Sequence, residues 1–162
     1  MTDRHDYVAL EWVKGEIETT LSLARQALES YVEDAQDATQ LGFCFNYLHQ
    51  VNGTLQMVEF YGAALLSEEL EKLAQKLVDQ NVKATEENLS ILMQGILQLP
   101  NYLDKVKEYQ QDLPIVLLPI INEIRTACHE EMMSAGVLFQ PDLTESKKAF
   151  PPISDAYEQT QF

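Results

Sequence analysis

A chain of 162 residues with 46% hydrophobic content is long enough to bury one sizeable core and too apolar to remain unfolded. Its 26 acidic residues against 11 basic ones give a formal charge of -15, which disfavours nucleic-acid or anionic-membrane binding as a working role, since both call for a basic footprint. No apolar run approaches the ~18 residues of a spanning helix, the first residues are charged, and two cysteines at helical spacing suit core thiols, so a cytoplasmic protein without leader, anchor or disulfide is expected.

The chain in order reads as five amphipathic helices. Over about 6–32, Leu10, Val13, Ile17, Leu21, Ala24, Leu28 and Tyr31 recur at helical spacing, with Glu11, Lys14, Glu18, Arg25 and Glu29 opposite. Trp12, beside this stripe, is expected to pack at its boundary; Gly15 has no role in the pattern. After a polar connection, Asp37 is a plausible N-cap with Gln40 three residues on, in the manner of a capping box. The second helix is expected to run to Tyr61-Gly62, with glycine suiting its carboxyl-terminal cap. Leu66, Leu70, Leu73 and Leu77 form a third stripe over about 63–80, an antiparallel partner for the second. Glu68, Glu69, Glu71 and Lys72 lie off it, and an acidic first turn would suit the helix dipole.

Thr85 with Glu86 and Glu87 opens a fourth helix, whose face of Leu89, Leu92, Ile96, Leu99, Leu103 and Val106 continues past Pro100, so a kink there is expected rather than a break. Leu117, Ile121, Ile124, Cys128 and Met132 carry a fifth stripe to about Ala135, with Pro119 in its first turn and Gly136 ending it. Ile115 to Leu118 also reads as a short strand, though without a partner strand. From Phe139 the pattern stops. An all-α antiparallel helix bundle over residues 1–138 is expected, followed by a mostly irregular linker or arm over 139–162, parts of which Phe139, Phe150 and Phe162 could pin to the bundle.

The second helix carries the candidate chemistry. Leu41, Cys44, Leu48, Val51, Leu55 and Val58 stack into one stripe, and His49 falls about 130° from its centre, on the solvent side. Asn52, Gly53 and Gln56 lie near it, Gln50 follows it, and Phe45 and Phe60 stand at the margins. Glycine inside a helix costs roughly 1 kcal/mol relative to alanine, so Gly53, one turn from His49, makes sense where another molecule must come close. An exposed imidazole is largely unprotonated at neutral pH and is a usable nucleophile. The blander reading is a surface histidine beside a tolerated glycine.

The arrangement of His49, Asn52 and Gly53, followed by Leu70-Glu71 on the next helix, resembles the histidine phosphotransfer (Hpt) pattern His-x-x-Lys-Gly. Asn52 stands where that family has lysine, and Glu59 where a second glycine is expected. The runs Asp3 to Ile17 and Gln50 to Leu66 look like the amino-terminal region of ChpA/PilL-type chemotaxis histidine kinases of the type IV pilus system, and are similar to their scaffold relative FimL. That resemblance implies an Hpt-like four-helix bundle plus an additional helix. It also implies a phosphorelay role, in which His49 exchanges a phosphoryl group with a receiver domain or kinase core, Asn52 and Gln56 donate hydrogen bonds, and Phe45, Gln50, Gly53 and Phe60 meet the partner. The alternative it leaves open is a degenerate docking domain that binds a receiver or scaffold partner without transfer. The parent chain would be a histidine protein kinase, and this stretch would be no complete enzyme. No metal site or cofactor is expected, because His5, His49 and His129 lack ligand spacing and the glycines are scattered.

Overall fold

Each of the five apolar stripes becomes a helix buried along one side. The computed structural model describes the backbone of residues 4–138 and the side chains from Val8 onward. Helix α1 spans Arg4–Glu33, α2 Ala38–Val58, α3 Tyr61–Val78 and α4 Glu86–Tyr109. A 3-10 turn over Pro114–Leu117 leads into α5, Leu118–Ala127, and a last single turn, α6, covers Ala135–Leu138. The described residues contain no strand, so the fold is all-α. The expectations for Phe139, Phe150 and Phe162 lie outside the described residues.

Helix α1 packs on α2 and α4, and α3 packs on the same two, which closes a four-helix bundle; α5 lies against α3 and α4 as the additional helix. Its interior holds Leu10, Ile17, Leu21 and Leu28 of α1, Leu48 and Leu55 of α2, Leu66, Leu70 and Leu73 of α3, and Leu92, Ile96 and Leu99 of α4. Each such side chain contributes about 1.5–3 kcal/mol on burial, so these stripes drive the assembly. Lys14 reaches Asp104 at 2.6 Å and Lys107 reaches Glu11 at 3.1 Å, tying α1 to α4 near the surface, where such pairs add at most about 1 kcal/mol each. Asp37 caps α2 by accepting from the Thr39 N–H at 3.2 Å, and Thr85 caps α4 by accepting from the Asn88 N–H at 3.1 Å. Helix α4 runs through Pro100 without a break.

Several local expectations give way to tertiary demands. Helix α2 stops at Val58, one turn early, with Glu59 in the left-handed region at φ 60° and its N–H donating to Leu55 and Gln56 carbonyls. Gly62 is therefore not its cap. It sits in the first turn of α3, where a Cβ would lie 2.5 Å from Tyr102 Oη and 2.6 Å from Asp112 Oδ1. The Gly62 N–H donates to Asp112 Oδ2 at 3.1 Å, and the Tyr102 hydroxyl donates to Oδ1 of the same carboxylate. With α3 beginning at Tyr61, no acidic residue occupies its first turn.

Helix α5 ends at Ala127 rather than near Ala135. His129 takes φ 63°, its N–H bonds the Thr126 carbonyl at 3.0 Å, and the Glu130 N–H bonds Arg125 O at 2.8 Å, the two bonds of a Schellman end with histidine in glycine's place. The chain then folds back on α5, held by Asn122 to both backbone groups of Met133 and by Arg125 Nε to Glu131 O at 2.6 Å. Met132 consequently faces solvent, and Gly136 lies inside α6. The stretch Ile115 to Leu118 is the 3-10 turn and the start of α5, not a strand.

Glu69 is the largest departure on α3. It is 2% exposed, and its Oε2 meets Arg125 Nη1 of α5 at 2.9 Å. Burial pushes its carboxyl above the ordinary carboxylate range, against the opposing pull of Lys72 and Arg125. Trp12 departs in the opposite direction: it is 82% exposed rather than packed at a boundary.

Candidate functional site

Helix α2 is chemically unlike the rest of this acidic chain, because between Ala38 and Val58 it holds no Asp, Glu, Lys or Arg. Its core stripe of Leu41, Cys44, Leu48, Val51 and Leu55 is buried, which turns Gly42, Asn46, His49, Gly53 and Met57 outward. The buried Cys44 thiol, its pKa pushed up to about 12 by burial, stays protonated and takes no part.

His49 stands on that outward face with 68% of its side chain exposed. Antiparallel packing of α3 beside α2 brings Glu71 alongside, with Oε2 2.7 Å from His49 Nδ1. Glu71 Oε1 accepts from Asn52 Nδ2 at 2.8 Å, and Asn52 Oδ1 accepts from Gln56 Nε2 at 3.2 Å. The buried Ser67 hydroxyl lies 3.2 Å from the same Asn52 oxygen and 3.0 Å from the Ala64 carbonyl. Phe45 stacks on the imidazole from the preceding turn, with ring centroids 6.1 Å apart and planes inclined by 22°.

This arrangement selects a tautomer. A carboxylate can only accept, so Nδ1 carries a proton, and the neutral form of the ring would hold its lone pair on Nε2. Gly53 leaves the approach clear: a Cβ there would meet nothing within 4 Å. Nothing inside the molecule therefore asks for glycine at this position.

The expected site residues are thus divided. His49, Asn52, Gln56 and Phe45 form one contiguous group, with Gly53 beside it. Gln50 is exposed but lies about 100° further round α2, on the side away from Glu71. Phe60 is fully buried between α2 and α3, so it cannot be a docking contact. Asn52 is not wholly free, since one of its two amide protons is engaged by Glu71.

Two features were not assigned from the sequence. Glu71 orients the ring from 22 positions away, a separation that no single-helix spacing reveals. Lys72 and Lys76 line a groove of about 320 Å³ with Phe45, Asn52 and Glu71, and bring the nearest positive charge to a face that has none of its own. Lys76 is partly engaged there, donating to Cys128 O at 3.1 Å. No described helix is long and apolar enough to cross a membrane.

Comparison with known proteins places the chain in a family. Residues 7–120, which include all of α1 but its first three residues and the whole of α2 to α4, match the FimL C-terminal domain family. Among characterised proteins, the chain is 30% identical over 135 residues to Scaffold protein FimL of Pseudomonas aeruginosa, a match that covers 83% of this chain and 24% of that protein. The chain thus spans about a quarter of that relative's length. No solved structure matches it. With the family model covering most of the bundle, this chain belongs to the FimL C-terminal domain family.

Proposed function

We propose that this chain is a protein-docking domain of a FimL-like signalling scaffold, working in the cytoplasm, and that the outward face of α2 around His49 is where its partner sits. One observation carries the reading: a helix without a single charge, in a chain of net charge -15, presents open-sided glycines to solvent. Charged residues are depleted at the centres of protein interfaces, and a bare helix face lets a partner backbone approach closely. The relative is named as a scaffold protein, which suits docking better than catalysis. Through the resemblance to the type IV pilus kinases, the expected partner is a receiver domain.

The test is a binding titration of the full chain with receiver domains of that signalling class. Gly53→Arg, at a site with open space, should leave the fold intact and abolish binding, while His49→Gln should reduce it modestly. Undiminished binding by Gly53→Arg would sink the reading.

A second reading, phosphotransfer, is favoured by the His49–Glu71 geometry. The Nε2 lone pair would attack an aspartyl phosphate; the new N–P bond forms as the P–O bond to the aspartate breaks, and the carboxylate leaves. Glu71, bound to the Nδ1 proton, would offset the charge gained by the ring. With Asn52 in place of a lysine, the only cations within the adjoining groove are Lys72 and Lys76. Radiolabelled ATP with a kinase core separates the readings: label on wild type but not on His49→Gln establishes transfer, while receiver binding without label leaves docking alone.

A further inference from the structure

Two grooves run along the side of α4 that meets α5 and the 3-10 turn, and Gln94 borders both. The first, of about 820 Å³, lies between α4 and α5 over the half-buried side chains of Ile91 and Leu118, with the exposed Met132 at its rim. Among the described residues its charged lining is Glu87 and Glu123, with no Lys or Arg. The second, of about 610 Å³, passes the 3-10 turn, where Leu97 and Val116 are half exposed, and Lys105 is its one charged residue among those described. Because these α4 residues recur at steps of three and four, the two grooves share one helix face. They make a single trough about 27 Å long, acidic at the Glu87 end and basic at the Lys105 end.

We propose that the occupant of this trough is the chain's own segment from Lys147 to Asp155, which lies outside the described residues, with its lysines toward Glu87 and Glu123 and Asp155 toward Lys105. Three observations favour it over a second copy or an unrelated protein. The first is the order of charge. Lys147 and Lys148 are the only adjacent basic pair in a sequence of net charge -15, no acidic residue follows them before Asp155, and Phe150 and Ile153 between supply apolar contact for the floor. The second is length: Pro151 and Pro152 favour an extended run at about 3.1 Å per residue, so Lys147 to Asp155 spans about 25 Å, close to the trough. The third is the tether. Leu138, where the described chain ends, is buried in α6, which packs on the same 3-10 turn. Nine residues from there to Lys147 reach up to about 30 Å, whereas α5 covers only about 15 Å from the turn to the acidic end. A segment so tethered meets the trough at an effective concentration on the order of millimolar, an advantage no separate chain has. This inference concerns α4 and α5 and does not depend on the docking reading of α2.

Paramagnetic broadening in NMR spectra of the isotope-labelled full chain tests it, with a nitroxide at Ser146→Cys in one sample and at Ser154→Cys in another. Cys44 and Cys128 are buried and escape the label. The Ser146→Cys label should broaden the amides of Asn88 and Thr126 at the acidic end, and the Ser154→Cys label those of Asn101 and Lys105 at the other. Phe150→Ser combined with Ile153→Ser should keep the helical circular dichroism and lower the ratio of seated to free segment by about tenfold or more. Glu123→Lys should lower it by about two- to fivefold, and adding Lys148→Glu should restore it. Broadening spread alike over both ends by either label overturns the proposal, as does broadening that survives Phe150→Ser with Ile153→Ser. Broadening seen only between a nitroxide-bearing chain and a separate isotope-labelled chain gives the trough to a second copy, and a trough perturbed only when a different protein is added gives it to a partner; either overturns the proposal. Receiver binding through α2 should be unchanged in the Phe150→Ser, Ile153→Ser variant, so failure here is distinguishable from failure there.

Discussion

Two pairs of glycines show how differently one residue type is used in this bundle. Gly62 and Gly95, on α3 and α4, are buried; an added methyl would strike Tyr102 and Asp112 in one case and Leu70 in the other. Gly42 and Gly53, on the outward face of α2, would meet nothing at all. The first pair exists because helices must approach one another. The second weakens α2 with no internal return, which is what a surface kept bare for another molecule requires. The same contrast holds for ionisable groups: the α3–α5 contact buries the Glu69 carboxyl against Arg125, whereas α2 carries no Asp, Glu, Lys or Arg.

The comparison can be broken in five places. The largest effect should come from Arg125→Met, which strands the Glu69 carboxylate and frees the 130–131 segment; a loss of about 3 kcal/mol in urea unfolding is expected. Gly95→Ala and Gly62→Ala should each cost about 2 kcal/mol through overpacking, visible as a lower denaturation midpoint. Gly53→Ala should have the opposite sign, a gain of about 0.5–1 kcal/mol in stability together with weaker partner binding. If it destabilised the fold, the bare-face interpretation would be wrong.

The smallest effect concerns pH. Burial holds the Glu69 pKa above its unfolded value near 4.5, so its contribution to stability is complete below about pH 4.5 and is lost as pH rises through the folded value. Glu69→Gln should therefore gain on wild type between about pH 4.5 and neutrality in parallel denaturation series, without changing helix content. A constant difference across that range would show that Glu69 does not titrate differently in the folded state.

Much of the fold could be read from residue order, because each stripe sums many weak preferences over several turns. Asp37 and Thr85 cap their helices, and His49 faces outward, as the periodicity requires. Helix ends were less legible. A left-handed Glu59 or His129 contradicts the preference for glycine, and each is stabilised by carbonyl bonds and returning chain that single-helix reasoning does not see. Phe60 looked like a margin residue because the α2 wheel was extended past Val58; once the helix stops there, the backbone turns its ring inward.

Residue order alone determined the helices, their buried faces, the charge-free character of α2 and the outward placing of His49, since each depends on local periodicity of about 100° per residue. Only the packed bundle decided that Glu71 would bind the imidazole, that Glu69 would be sealed against Arg125, and that Trp12 would be left uncovered. Those outcomes depend on how far each helix is rotated against its neighbours, and a rotation of one residue's worth would put a different side chain in contact.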